Sequence, residues 1–526
     1  MDHEHVDLES VEREKALIES LSHGRAYTHP VADIRVLDTH ISWVVLTGDL
    51  AYKIKKPIKL AFLDYSTLEK RRHYCERELE LNRRWAPGLY LGVVPISGSF
   101  NEPSVGGEGP PIEYAVQMRQ FPQSAQLDEQ LEAGRLDADD MFGLAETVAA
   151  THAAVPVCTA VSAADFFAAT RQVMLDNFDF LHEGTDAAAI DTLLSWTRQC
   201  LDDYRDLIMD RYETGFVREC HGDLHLKNLV RLPSGIVPYD CVEFSAELRN
   251  IDVISDVSFL VMDLVAREET QLAYAFINRY LECSGDYAGV SLLGPYVVYH
   301  ALIRAKIAAI RSIERAQDAE RQQDREETVH YCTVASRWID AGTPRLILMH
   351  GLSGSGKTRL SHELMQRLPA VRVRSDIERK RMHGLSETEG SDSSVAEGLY
   401  APNARTAIYE WLRRLAESLL NAGHNVIIDA SFLDRVERNR FRALAGKAGS
   451  DFLIVSVTAA REELHRRLAR RQHEGTDSSE ADIAVLRYQL EQADTLDVDE
   501  RNCTIDVATD QPVDIDAVVR ACMVTF

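Results

Sequence analysis

The octapeptide Gly351-Leu352-Ser353-Gly354-Ser355-Gly356-Lys357-Thr358 limits what this chain can fold into more than any other feature. It follows an apolar run, RLILMH, and leads into an amphipathic one, RLSHELMQRL. The pattern GxxxxGK[ST] between a strand and a helix predicts an α/β unit carrying a phosphate-binding loop. Its glycines let the backbone N–H groups curl around phosphate oxygens, with a helix N-terminus behind them. Gly351, Ser353, Gly354, Ser355 and Gly356 are the expected cradle. Lys357 is expected to reach the β- and γ-phosphates of ATP, and the Thr358 hydroxyl to bind Mg²⁺.

Three further stretches extend this reading. Val426–Asp429 is an apolar strand ending in a carboxylate, placing Asp429 as a second metal partner. In VRVRSDIERKR, Asp376 follows a strand and is the candidate to take the proton of an acceptor hydroxyl, with Arg379 one turn later to hold an anionic substrate. Arg467 and Arg471 stand four apart on a helical segment, a spacing that can close two guanidinium groups over a transferring phosphate. Together these residues resemble the P-loop small-molecule kinases, including the gluconate-kinase-like and zeta-toxin-like enzymes. The resemblance covers about Arg345 to Asp510. Polynucleotide kinases share the plan, so it does not select the acceptor. Nothing marks a motor or AAA ATPase, because the domain is short and has no second arginine region of the sensor type.

The N-terminal part carries a different signature. His221-Gly222-Asp223-Leu224-His225-Leu226-Lys227-Asn228 is followed by a strand-like GIVPYD ending at Asp240. Asp223 can orient or deprotonate an acceptor, Asn228 and Asp240 can hold Mg²⁺, and the offsets match a kinase catalytic loop. The pattern resembles the aminoglycoside phosphotransferase and choline-kinase-like group of the protein-kinase-like fold. That resemblance implies an upstream lysine and a helix glutamate. Lys53 in YKIKKP is chosen for the nucleotide phosphates, with Lys55 the alternative on the same strand face. Glu78 is chosen over Glu76 for the ion pair. No GxGxxG cover is present, only Thr47-Gly48-Asp49. Asp256 reads as a brace of the catalytic loop, and Glu243 as either metal shell or loop cap. His152 receives no role.

Composition divides along the same line. The 526 residues carry a net charge of −25. After Thr343 there are 25 basic and 28 acidic residues, so nearly all the acidity precedes that point. The overall sign argues against a nucleic-acid partner, more firmly for the N-terminal half. Nine scattered cysteines without a CxxC pair fit a reducing compartment. The start, MDHEHVDLES, reads as neither signal nor transit peptide, and no apolar run reaches spanning length, so the expectation is a cytoplasmic protein without membrane partners.

The expected architecture is an α+β protein-kinase-like, bilobal phosphotransferase domain over residues 1–335, with an N-lobe to about 120 and a C-lobe from 121 ending in a charged helical linker. An α/β P-loop kinase domain with a parallel sheet follows over 343–526. This pairing resembles a bacterial group of two-domain proteins, and the likeness spans nearly the whole chain. It implies a bifunctional phosphotransferase using ATP and Mg²⁺ on small-molecule hydroxyls such as those of sugars or aminocyclitols. Regulation of one half by the other, and a polynucleotide or protein kinase, are the alternatives. The oligomeric state is not written in the sequence.

Overall fold

The computed structural model describes residues 8–60, 63–181, 185–340, 342–387, 389, 402–474 and 483–523. By packing, the chain forms two compact units. The first comprises Met1–Leu136, Ala150–Phe167 and Asp206–Leu260; the second comprises Asp137–Ala149, Ala168–Arg205 and Val261–Phe526.

In the first unit, short alternating runs form β1 (Arg35–Asp38), β2 (Ser42–Leu46), β3 (Leu50–Lys55), β4 (Lys59–Leu60), β5 (Leu63–Asp64), β6 (Tyr90–Gly98), β7 (Pro103–Val105) and β8 (Pro111–Arg119). Six of them make an antiparallel sheet in the order β1-β2-β3-β8-β6-β7. The Gly/Pro-rich segment at 101–111 connects β6 to β8, and β7 within it pairs with β6. Helix Leu68–Trp85 starts at Thr67, whose hydroxyl caps the Lys70 N–H. Its buried residues Arg71, Cys75, Glu78, Asn82 and Trp85 recur every three to four positions, so one face lies inward. That face carries a carboxylate among apolar groups. Beyond it, β9 (Val217–Glu219), β10 (Leu229–Leu232), β11 (Gly235–Pro238) and β12 (Asn250–Asp252) form two small antiparallel pairs, β9 with β12 and β10 with β11. The catalytic-loop residues lie between β9 and β10, and Asp240 follows β11.

The second unit is built on β13 (Arg345–His350), β14 (Ala370–Arg374), β15 (Asn425–Asp429), β16 (Asp451–Thr458) and β17 (Thr504–Ala508), all parallel, in the order β14-β15-β13-β16-β17. Parallel strands covered on both faces read as continuous apolar runs. Ile347, Met349, Ile427, Leu453 and Val455 accordingly pack with Leu360 and Leu364 of the helix after the loop. Burying each such side chain contributes about 1.5–3 kcal/mol.

The charged run expected as a linker is helical and folds back. Helices Leu293–Glu314 and Asp318–Ile339 pair antiparallel, with Arg311 on Asp324 at 2.9 Å and Arg304 near Glu327 at 3.7 Å. Packing places these helices, together with Thr270–Ser284, in the same unit as the parallel sheet. The compact units therefore do not divide the chain near residue 340. No described helix is long and apolar enough to cross a membrane.

Candidate active sites

In the first unit, strand alternation puts Lys53 and Lys55 on one face of β3, opposite Glu78. Glu78 sits between them, 2.9 Å from the Lys53 Nζ and 2.7 Å from the Lys55 Nζ. Lys53 also pairs with Asp240, whereas Lys55 pairs with Glu243. Tyr65 donates its hydroxyl to Glu243 as well. Burial would depress both lysines, but the surrounding carboxylates more than reverse it, and both stay raised above the usual ammonium value. Burial opposes ionisation of Glu78, and the two ammonium groups nevertheless hold its carboxyl below its ordinary range.

Exposure separates the two lysines. Lys55 is fully buried, while Lys53 reaches toward Asp240, whose side chain is 41% exposed. Glu243 is the buried counter-ion of Lys55, and its carbonyl accepts from Arg249 Nη1 at 3.1 Å. Glu76 faces solvent, paired with Arg72.

The catalytic loop is held by groups that seldom reach solvent. Asp256 accepts the backbone N–H of His221 at 3.1 Å and of Gly222 at 2.8 Å, as expected of a brace. Its remaining contact, 3.0 Å from His152 Nε2, gives a function to a histidine that sequence reasoning left without one. His221 is buried, which lowers its pKa and keeps the ring neutral. Its Nε2 donates to the Tyr239 carbonyl at 2.9 Å and its Nδ1 accepts the Asp223 N–H at 3.3 Å. One ring therefore ties the Asp223 loop to the segment before Asp240. Gly222 has φ +82°, and a Cβ there would meet the Leu248 carbonyl at 2.7 Å. Asn228 donates its amide to Asp223 Oδ2 at 2.8 Å. Asp240 adopts φ +63°, held by its N–H to the Tyr90 hydroxyl at 3.0 Å.

In the second unit the loop is closed by its own backbone. Gly351 N–H donates to the Ser431 carbonyl, and Ser355 N–H to that of Leu352, both at 3.1 Å. Ser353 N–H donates to Gln489 Oε1 at 2.7 Å. Gly351, Gly354 and Gly356 all have positive φ, and a Cβ on Gly351 would lie 2.3 Å from the Val457 carbonyl. Lys357 Nζ bonds the Leu352 carbonyl across the loop at 2.8 Å.

Ser361, one turn past Thr358, accepts no place in the motif yet bonds both the Thr358 carbonyl at 3.0 Å and Asp429 Oδ2 at 2.8 Å. Asp429 is buried; that burial, with the charge of Asp376, raises its pKa. Asp376 is also desolvated, but Arg374 at 2.8 Å and the Ile377 N–H hold it low. Arg379 is partly buried on the same helix, Ser375–Met382.

Arg467 lies against the loop, donating to the Gly354 carbonyl at 3.2 Å and to Thr509 Oγ1 at 2.9 Å. Arg471 continues its helix, and its side chain lies outside the described residues. A cavity of about 720 Å³ opens here, lined by Gly354, Gly356, Arg359, Arg467, Arg470 and Thr509 among others.

Residues 346–496 match a family model described as AAA domain. An uncharacterized protein of Mycobacterium tuberculosis (strain H37Rv) is 29% identical over 479 residues, covering 90% of this chain and 94% of that protein. A choline/ethanolamine kinase family protein from Mesorhizobium loti aligns over 62% of this chain and 99% of its own, at 12% identity and TM-score 0.37. A gluconokinase from Sinorhizobium meliloti aligns over 34% of this chain and 90% of its own, at 20% identity and TM-score 0.24. The chain thus carries a unit in which the HGDxxxxN loop and the Lys53–Glu78–Asp240 cluster lie, and a P-loop on a five-stranded parallel sheet within the region that matches the AAA domain model.

Proposed function

We propose that the chain is a bifunctional phosphotransferase, each half moving the γ-phosphoryl group of ATP to a hydroxyl of a small molecule. The observation that carries this is the ion cluster in which Lys53 joins Glu78 to Asp240, in the same unit as an Asp223–Asn228 pair. Lys53 binds the nucleotide phosphates, and Glu78 fixes its direction. Asp223 orients the acceptor hydroxyl and receives its proton.

In the second unit the loop backbone and Lys357 cradle the phosphates. The Ser355 hydroxyl, buried without a hydrogen-bond partner among the described residues, fits a loop completed by a ligand. Arg467 supplies positive charge beside the loop, with Arg471 expected further along its helix. Asp376 takes the acceptor proton and Arg379 holds an anionic acceptor.

Both sites offer hard oxygen donors of the kind Mg²⁺ takes, Asn228 and Asp240 in the first and Thr358 and Asp429 in the second. When bound, the ion neutralises charge on the β- and γ-phosphates. The residues themselves position the reactants, which is most of what phosphoryl transfer requires.

The acceptors are sugars, aminocyclitols or related metabolites. The Arg-rich second half suits an acceptor already bearing phosphate or carboxylate, which fits a sequential scheme in which one half acts on the other's product. Nine free cysteines accord with a reducing, cytoplasmic setting. The test is a metabolite panel assayed with the full chain and with Asp223→Ala and Lys357→Ala. Two products, each lost in one variant, support two catalytic halves. If Lys357→Ala abolishes the Asp223-dependent product and no second product exists, the P-loop half is a nucleotide-gated regulator.

A further inference from the structure

The edge strand β14 is completed by a helix that lies outside the P-loop motif set. Asn278 of helix Thr270–Ser284 accepts the Arg372 N–H at 2.6 Å and donates to the Ala370 carbonyl at 2.9 Å. It makes the hydrogen bonds that a neighbouring strand would otherwise make. One turn later Glu282 accepts two bonds from the Arg372 guanidinium, at 3.1 and 2.6 Å. Both side chains are 3% exposed.

A buried ion pair is poor value for stability alone, because an apolar pair of similar volume often serves as well. This one has an additional bond. Arg372 Nη1 donates to Ser361 Oγ at 3.3 Å, and Ser361 Oγ contacts Asp429 Oδ2 at 2.8 Å and the Thr358 carbonyl at 3.0 Å. With Arg372 donating to the oxygen, the single hydroxyl hydrogen is left to face those acceptors. Glu282 thereby fixes Arg372, Arg372 fixes the Ser361 hydroxyl, and Ser361 touches both residues assigned to the metal.

We propose that Glu282 is a positioning residue for the P-loop site, setting the direction of the Asp429 carboxylate through Arg372 and Ser361. The proposal rests on the reading of Thr358 and Asp429 given above. Glu282 lies well before the motif, on a segment the sequence joins to the phosphotransferase half. The P-loop site is thus finished by residues that a cut at residue 343 would remove.

The test is calorimetric binding of a non-hydrolysable ATP analogue to the full chain across a Mg²⁺ titration. Subtracting the binding retained by Lys357→Ala isolates the P-loop site. In Glu282→Gln the Mg²⁺ concentration giving half of the affinity gain should rise about tenfold, with metal-free affinity unchanged. Ser361→Ala, which leaves the ion pair intact, should give the same shift, and the double variant should be no worse than either.

An unchanged Mg²⁺ titration in Glu282→Gln overturns the proposal. So does an equal loss of metal-free and metal-bound affinity, which marks a merely structural pair, and so does an additive double variant. If the unsubstituted chain shows no Lys357-dependent binding, the P-loop reading itself falls and takes this inference with it.

Discussion

The two candidate sites are held together by opposite means. In the first unit, groups far apart in the chain converge as side chains: Lys53, Glu78 and Asp240 meet through ion pairs. In the second, a contiguous octapeptide is shaped mainly by its own backbone: Gly351, Gly354 and Gly356 all have positive φ, and a Cβ on Gly351 would strike the Val457 carbonyl. A site of the first kind is sensitive to charge, and one of the second kind to backbone geometry. Substitutions separate these sensitivities.

The largest effects are expected at the reacting groups. Asp223→Ala and Lys357→Ala should each reduce turnover of their own half about a thousandfold and leave the other half intact, as read by product formation. Next come the paired lysines. Lys55→Met strands Glu243 and half of Glu78 in a fully buried place, so chemical denaturation should show a loss of about 3–5 kcal/mol. Lys53→Met should cost less stability, because Asp240 is partly exposed and Glu78 retains Lys55, while abolishing nucleotide binding in that half. Equal stability losses would contradict the division of labour between them.

A backbone counterpart in the first unit is Gly222→Ala. Positive φ and a 2.7 Å approach to the Leu248 carbonyl predict about 1–3 kcal/mol of strain and loss of Asp223-dependent turnover.

The smallest effect concerns pH. His424 is buried, which lowers its pKa to about 4. Because the unfolded histidine titrates near 6.5, its contribution is complete above that value and is lost as pH falls toward 4, by at most about 1.4 kcal/mol per unit. Melting temperature measured between pH 7 and 5 should fall less steeply in His424→Asn than in the parent chain.

These contrasts also explain what was legible in the sequence. The P-loop is local, so its residues, strand and helix could all be read from one stretch. The HGDxxxxN run was legible for the same reason, and so was the face of the helix carrying Glu78. What escaped depends on long-range pairing. His152 gains a function only because Asp256, 104 residues later, lies against it. Glu243 was open between two roles because its partner, Lys55, lies 188 residues earlier. The division into packing units was hidden too, since Asn278 and Glu282 give no motif of their own and act only by meeting β14. The charged run after Glu314 read as a linker because the helix it pairs with, Leu293–Glu314, precedes it in the chain.

The central claim is that one chain carries two independent ATP sites. Native mass spectrometry of the full chain with Mg²⁺ and a non-hydrolysable ATP analogue counts them directly. Two nucleotides per chain are predicted, with one lost in Lys53→Met, a different one lost in Lys357→Ala, and none bound by the double variant. A single nucleotide on the unsubstituted chain, or two retained by either single variant, would contradict it.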